Sequence, residues 1–562
     1  MSTFRLNRYI AAGFVAAVAA TSIMFVSRPE TTVADIIVPA ASPSASASPD
    51  TSIQPPAGVK ASTKTLAQVL SLYEASLGKA AGSATSRETA TIVGRGMTET
   101  DTELRSGGDY VLTSQVGQVT TAEGRAHGQQ WRQDENGYTR MMTGIHSEDQ
   151  RSADALQKAM HGDPSLSVRL LGEVSVPVRA YVVELDPDGG RLEWLFFETT
   201  SGRLVRREES IDRVRVVWTF DDFRATDGVV QPWHEHYTDT FVDDELDKRT
   251  TQLAYGVSIP QNALAIPASS PRLRFPPGVT DVRVPAIFGD DGGIIVRITI
   301  AGRGLDLALD SGTYDIVIDS GTASSLGLVT FKNRGHTTST SAETTSAVVP
   351  QMTIGPLSMQ NVAIECLPFT DNPDAAHKVV GLLGYDFFAG VVVKVDYLNH
   401  TVDAIDPAAF KPPPGQSFTV PVRLDDRVPM IDAWVGSGSA GNFIVDTGSV
   451  DLAVSENFVK ANAHDLAHLS YQYKSQLYYP IEFREGVGGV FDVVKFQART
   501  FQIGQEEFGD VGLVEADQFV SGEDLDGLVG YPILEYFDLY FDYENATLVL
   551  QPNALITKAA PQ

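Results

Sequence analysis

The chain has 562 residues, 43% of them hydrophobic, and carries 43 Lys and Arg against 71 Asp and Glu, a formal charge of −28. The acidic balance argues against a nucleic-acid partner, because phosphate binding needs clustered Lys and Arg. With Cys366 as the sole cysteine no intramolecular disulfide is possible, so the fold must rely on burial.

At the front, Arg5 and Arg8 precede Tyr9–Val26, a stretch without charged residues and rich in Ala and Val. A basic segment ahead of an apolar core is the pattern of an export signal, and the length is also near that needed to cross a bilayer. Residues 1–27 are therefore expected to be a signal peptide, with Ala17-Val18-Ala19 as a small-x-small cleavage site, or an uncleaved membrane anchor. Either way the body of the protein is expected to be exported, periplasmic or anchored in the inner membrane and facing the periplasm. Residues 28–62 are rich in Pro, Ala, Ser and Thr and are read as a disordered linker, since such a segment buries too little apolar surface to offset its ordering entropy.

Residues 63–265 begin with a helical pattern, Leu66, Val69, Leu70 and Tyr73 recurring at i, i+3, i+4 and i+7. Strand-like runs follow at Ser167–Leu171, Ala180–Leu185, Leu192–Glu198, Leu204–Glu209, Val214–Phe220 and Val229–Tyr237, separated by turns such as Ser201-Gly202 and Asp227-Gly228. This pattern predicts a curved antiparallel sheet with a helix at its start. His234 and His236 fall on one face of a strand, a spacing some metal sites use, but no third ligand is evident nearby and no HExxH occurs, so no metal site is assigned.

Beyond the Pro-rich crossover Pro260–Pro277 the chain repeats itself. Leu307-Ala-Leu-Asp310-Ser311-Gly312-Thr313 and Phe443-Ile-Val-Asp446-Thr447-Gly448-Ser449 are both apolar runs entering a tight turn that holds a carboxylate, 136 residues apart. Composition alone yields a D-[ST]-G tripeptide roughly 0.3 times in a chain this long. A third copy, Asp319-Ser320-Gly321, aligns with Ser455 when the two turns are superposed and is read as a helix N-cap. Further landmarks recur in the same order: Thr353-Ile354-Gly355 and Gln502-Ile503-Gly504, then Gly381-Leu-Leu-Gly384-Tyr385 and Gly527-Leu-Val-Gly530-Tyr531. Asp396-Tyr397-Leu-Asn399 and Asp542-Tyr543-Glu-Asn545 close each copy, 12 residues after the second glycine in both. A repeated set of landmarks indicates a repeated lobe, and two carboxylate turns suggest a paired-carboxylate site.

This ordered set resembles the aspartic proteases, specifically a single-chain bacterial-type protein with two retropepsin-like lobes. The resemblance implies a mainly β fold: two duplicated β-barrel lobes, residues 280–410 and 415–555, preceded by an antiparallel half-barrel-like α+β domain. That front region looks like the outer-membrane lipoprotein-carrier half-barrel, on its strand rhythm and on the Trp194-Leu-Phe-Phe-Glu198 and Asp221–Pro232 stretches. Such a likeness implies a concave apolar face for an acyl chain or a peptide, while an ordinary packed domain remains open.

Peptide hydrolysis by this route needs two carboxylates sharing one proton and holding one water, with no metal and no other cofactor. Asp310 and Asp446 are the candidate catalytic pair, and an acidic activity optimum is expected. Gly312 and Gly448 suit turns where backbone must pass close to its mate, and Thr313 and Ser449 are expected to donate hydrogen bonds to the carboxylates. By resemblance, Ser311 and Thr447 brace the two turns through their hydroxyls, and Gly486, Gly488 and Gly489 form a candidate flap. The first lobe offers only Gly335, ahead of Thr337–Ser346, for a matching flap. The expected function is an aspartic endopeptidase acting on polypeptide. An inactive peptidase-like binding module and a periplasmic carrier of lipid or lipoprotein stay open as alternatives, the membrane entering only through the N-terminal segment.

Overall fold

The computed structural model describes residues 55–556 except 79–84, 95, 143–144, 163–166, 189, 212–213, 240–244, 261, 337–342, 370–376, 425–426, 439, 469–470, 474–475, 479–480, 487–488 and 517–524. The signal or anchor segment and most of the linker lie outside these residues. Among them, no helix is long and apolar enough to cross a membrane. By their contacts the described residues form two compact units, one within 55–78 and 148–250, the other within 85–147 and 251–556.

The first unit opens with helix α1 (Leu66–Ser76), which starts where its sequence says: the Thr65 hydroxyl accepts from the Gln68 N–H and the Gln68 side chain accepts from the Thr65 N–H. Val69, Leu70 and Tyr73 form its buried face, Tyr73 with its ring 4.8 Å from Phe197. Strands Val168–Val174, Ala180–Leu185, Glu193–Glu198, Leu204–Ile211, Val214–Thr226, Val229–Asp239 and Glu245–Tyr255 then pair antiparallel in chain order. The expected apolar face is mixed. Beside Val183, Leu195 and Trp218, on one face, the sheet buries Arg207, which donates to Glu193 at 2.9 Å and to Glu209 at 2.6 Å. His234 and His236 do lie together, but facing carboxylates: the His234 ring nitrogens are 2.8 Å from Asp221 and 2.6 Å from Asp247.

The second unit begins with a meander that the apolar pattern does not announce: Ser86–Gly94, Met97–Ser106, Asp109–Val116, Val119–Ala126, Gln129–Gln133 and Thr139–Met141, each pairing antiparallel with the next. Its inward positions include Ser86, Glu88, Glu99, Asp101 and Glu103, all buried, so alternation is present without hydrophobicity. Helix α2 (Ile145–Met160) follows in the chain and falls almost wholly in the first unit.

Two closed six-stranded barrels carry the duplicated landmarks. The first consists of β1 (Ile294–Ile300), β2 (Arg303–Leu309), β3 (Ile316–Asp319), β4 (Glu343–Ile354), β5 (Leu357–Leu367) and β6 (Val379–Leu383), in the order β1-β2-β6-β3-β5-β4 with β4 back beside β1. The second consists of β7 (Met430–Val435), β8 (Gly441–Val445), β9 (Leu452–Val454), β10 (Gly489–Ile503), β11 (Glu506–Glu515) and β12 (Gly527–Val529), closing in the corresponding order β7-β8-β12-β9-β11-β10. Two repeated sequences thus give one repeated topology. Strand Val392–Asp396 of the first lobe pairs antiparallel with Phe537–Asp542 of the second, joining both lobes in one six-stranded sheet. Phe388, Phe541 and Tyr543 pack ring against ring beneath this seam. Asn399 and Asn545 sit in the hairpin turns expected of them, their side-chain amides donating to Asp396 at 2.9 Å and Asp542 at 2.8 Å.

Short helices α3 (Ser320–Ser325), α4 (Tyr385–Phe388), α5 (Glu456–Ala461) and α6 (Tyr531–Leu534) complete the lobes. Asp319 caps α3 by accepting from the Thr322 N–H at 2.7 Å, and Ser455 caps α5 by accepting from the Phe458 N–H at 3.1 Å. The third D-[ST]-G is therefore a cap. Cys366 is buried in β5, and burial pushes its thiol up to about 12, as suits a packing residue and not a nucleophile.

Candidate active site

Each carboxylate turn hangs between the end of one barrel strand and the start of another. In the first lobe β2 ends at Leu309, the chain turns through Asp310–Thr313, and β3 starts at Ile316. Strand β6 runs between them, its Leu383 carbonyl accepting from the Asp310 N–H at 3.1 Å. The second lobe repeats this with β8, β9 and β12, the Val529 carbonyl accepting from the Asp446 N–H at 2.9 Å. The glycines of Gly-x-x-Gly are there for clearance: a Cβ on Gly381 would lie 2.0 Å from the Val317 carbonyl oxygen, and one on Gly527 2.5 Å from that of Ala453.

The two turns are interlocked. The Ser311 N–H donates to the Thr447 hydroxyl and the Thr447 N–H to the Ser311 hydroxyl, both at 3.0 Å. The hydroxyls in turn donate across the interface, Ser311 to the Val445 carbonyl at 2.7 Å and Thr447 to the Leu309 carbonyl at 2.9 Å. Four buried hydrogen bonds related by the duplication therefore fix one turn against the other.

This clamp brings Asp310 and Asp446 together, 0% and 2% exposed. Each carboxyl lies over the other turn's glycine: a Cβ on Gly312 would be 2.7 Å from the Asp446 Cγ, and one on Gly448 2.8 Å from the Asp310 Cγ. Only glycine fits at either place. Asp310 accepts from the Gly312 N–H at 2.9 Å and from the Thr313 hydroxyl at 2.7 Å; Asp446 accepts from the Gly448 N–H at 2.8 Å. The expectation for Ser449 needs correction. Its hydroxyl donates to the Asp451 carbonyl at 3.0 Å, so it braces its own turn and leaves Asp446 without the hydroxyl that Asp310 has.

Burial lifts both carboxyls. Asp310 is raised well above the ordinary range by burial and then by the negative charge of Asp446, against the Thr313 hydroxyl and the Gly312 N–H. Asp446 is pushed up to about 6 by burial, opposed chiefly by the Gly448 N–H. The pair is thus suited to hold one proton, with Asp310 the partner that keeps it.

The proposed flap glycines fall at a hairpin tip, Gly486 at the end of strand Ile481–Gly486 paired with Gly489 at the start of β10. Gly488 lies outside the described residues. At the matching place in the first lobe, strand Thr330–His336 pairs with β4, so a hairpin exists there without the glycine cluster. Two groups were given no role by the sequence reading. Tyr397 and Tyr543, which it used only as repeated landmarks, are buried with hydroxyls that have no hydrogen-bond partner among the described residues. The turn Asp134–Tyr138 reaches the first lobe from the meander: Asn136 donates to Asp386 at 2.8 Å, and Glu135 accepts from Arg427 at 2.6 Å.

Residues 296–387, spanning the first carboxylate turn, match the family model described as Aspartyl protease. No curated protein matches the sequence. Among solved structures, an aspartic proteinase from Irpex lacteus is similar at 14% identity, over 50% of this chain and 100% of that one, with a TM-score of 0.29. A putative outer membrane lipoprotein-sorting protein domain from Vibrio parahaemolyticus is similar at 11% identity, over 35% and 95%, TM-score 0.26. A LolA superfamily protein from Nitrosomonas europaea is similar at 11% identity, over 36% and 98%, TM-score 0.27. TM-scores this low leave the fold to be argued from strand order and the site from its own geometry.

Proposed function

We propose that this protein is an aspartic-type endopeptidase, hydrolysing peptide bonds with a water activated between Asp310 and Asp446. The observation that carries the reading is the reciprocal clamp, which leaves each buried carboxyl against the other turn's glycine. Two acids this close cannot both ionise easily, so one remains protonated over a wide pH range. Asp446, the less raised of the two, takes a proton from the attacking water while Asp310 donates its own to the scissile carbonyl oxygen. Collapse of the tetrahedral intermediate then passes the proton held by Asp446 to the leaving amine, while the hydroxyl formed from the carbonyl gives its proton back to Asp310. The Gly312 and Gly448 N–H groups and the Thr313 hydroxyl orient the two carboxyls. The match of residues 296–387 to the aspartyl protease family supports the same chemistry.

The polypeptide substrate, export and an N-terminal signal peptide or anchor belong to this proposal and rest on the sequence. The lipid-carrier reading gains little support, since the sheet of the first unit buries the Arg207, Glu193 and Glu209 ion pairs among its apolar side chains. The test is cleavage of a denatured protein across an acidic-to-neutral pH series by the wild type, Asp310→Asn and Asp446→Asn. Loss of cleavage in both variants is expected. Equal cleavage by wild type and either variant, or no cleavage by a folded wild type, overturns the reading.

A further inference from the structure

In each lobe the residue after Gly-Tyr is the second of a short helix that follows the strand behind the carboxylate turn, and here the duplication breaks. The second lobe has Pro532, well suited to the first turn of α6. The first has Asp386, a carboxylate with no solvent exposure. One of its oxygens accepts from the Ile316 N–H at 2.9 Å, at the start of β3, and the other accepts from the Asn136 side-chain amide at 2.8 Å. A buried acid thus stands where the sister lobe needs none, and its partner comes from a turn about 250 residues earlier in the chain.

That turn is built into the lobe. Asn136, 0% exposed, uses its amide as an extra strand residue, accepting from the Ala363 N–H at 2.8 Å and donating to the Ala363 carbonyl at 3.0 Å. The Tyr138 hydroxyl donates to the Asp386 carbonyl at 3.1 Å, and its ring meets Tyr385 edge-on at 6.0 Å. The Tyr385 N–H donates to the Thr313 carbonyl at 2.9 Å, and Thr313 is the residue whose hydroxyl binds Asp310. On the other side Glu135 accepts from two guanidinium nitrogens of Arg427, at 2.6 and 2.9 Å. Arg427 also donates to Asp315, and its backbone is held at a φ of 64°, a conformation a non-glycine side chain adopts only when its surroundings impose it.

We infer that the Asp134–Tyr138 turn, through Asn136 and Glu135, is a positioning element of the active centre, holding the Asp310 turn in register with Asp446 by way of Asp386, Tyr385 and Arg427. The consequence is an enzyme whose first carboxylate turn is set by a segment outside the duplicated lobes, while the second is set from within by Ser449 and Asp451. This rests on the peptidase reading for its catalytic meaning, but its structural content is testable without turnover.

The full chain is prepared as wild type, Asn136→Ala and Glu135→Gln, with Gln129→Ala on the exposed edge of the same meander as control. Amide exchange at Ala363 reports docking, and carboxyl NMR titration of isotopically labelled aspartates reports the Asp310–Asp446 pair. In Asn136→Ala the Ala363 amide should exchange faster, the Asp310 titration should move upward by about half a unit as the Thr313 bond loosens, and kcat should fall about tenfold with KM little changed. Glu135→Gln, which keeps the shape of the turn, should move the titration in the same direction by less and serves if Asn136→Ala does not fold. Faster Ala363 exchange with an unmoved titration and unchanged kcat overturns the inference, as does unaltered Ala363 protection in a folded Asn136→Ala. A wild type that cleaves nothing while the titration still moves refutes the peptidase reading and leaves the positioning role standing.

Discussion

Gly448→Ala tests the geometry of the pair most directly. The added Cβ would lie 2.8 Å from the Asp310 Cγ and 3.0 Å from both of its oxygens. Ordinary contact between carbon atoms is about 3.5–4.0 Å, so about 0.7 Å or more must be absorbed. The carboxyl cannot simply swing away, because the Gly312 N–H, the Thr313 hydroxyl and the clamp between the turns hold it. The strain therefore falls on the spacing of the lobes, at about 1–3 kcal/mol for an overpacked core site. That is a few degrees of melting temperature at about 2–4 °C per kcal/mol. Displacement of this size at reacting groups should cost about 100-fold in cleavage rate. Gly509→Ala is the control: it lies in β11 with nothing within 4 Å of the new methyl and should melt and cleave as wild type does. A Gly448→Ala protein with wild-type melting temperature and wild-type cleavage would show that the two turns do not approach as described.

Thr447→Val removes the acceptor of the Ser311 N–H and the donor to Leu309 in a buried place; it should destabilise by on the order of 3 kcal/mol, read by chemical denaturation, and an unchanged midpoint would refute the clamp. Cleavage should follow a bell-shaped pH profile, its acid limb near 6, where Asp446 protonates, and its alkaline limb higher, where Asp310 loses its proton; this lies nearer neutrality than the sequence suggests, and an optimum below about pH 5 would refute it. Stability follows with a definite sign. Asp446 is raised from 3.8 to about 6 on folding, so its contribution is complete below 3.8 and lost as pH rises through 6. Asp446→Asn should therefore be the more stable protein at pH 7, and lose that advantage near pH 4, when the two melting curves are compared. Asp319→Ala should cost about 1 kcal/mol through its helix cap while leaving cleavage intact; loss of cleavage would return the third D-[ST]-G to the active centre.

The barrels and the carboxylate pair were readable because duplication supplies an internal alignment. Asp310 superposed on Asp446 carries Asp319 onto Ser455, Gly381–Gly384 recurs further on in the same order as Gly527–Gly530, and both lobes fold in the same strand order. Caps were readable because they are local: Asp319 and Ser455 each satisfy an N–H three residues on. The meander over 86–141 was not readable, because its inward positions carry Glu88, Glu99, Asp101 and Glu103 and so lack the apolar alternation that betrays a strand.

Sequence by itself therefore determined the front helix and the strands that follow it from about 167, the repeat and the two acids, all set by local pattern or by comparison of one half with the other. Tertiary structure alone decided which hydroxyl reaches a carboxylate: Thr313 does and Ser449 does not, although they occupy matching positions in the two lobes. It alone brought Asn136 to Asp386 and Glu135 to Arg427, since hydrogen bonds between residues hundreds of positions apart leave no periodicity in the chain that makes them.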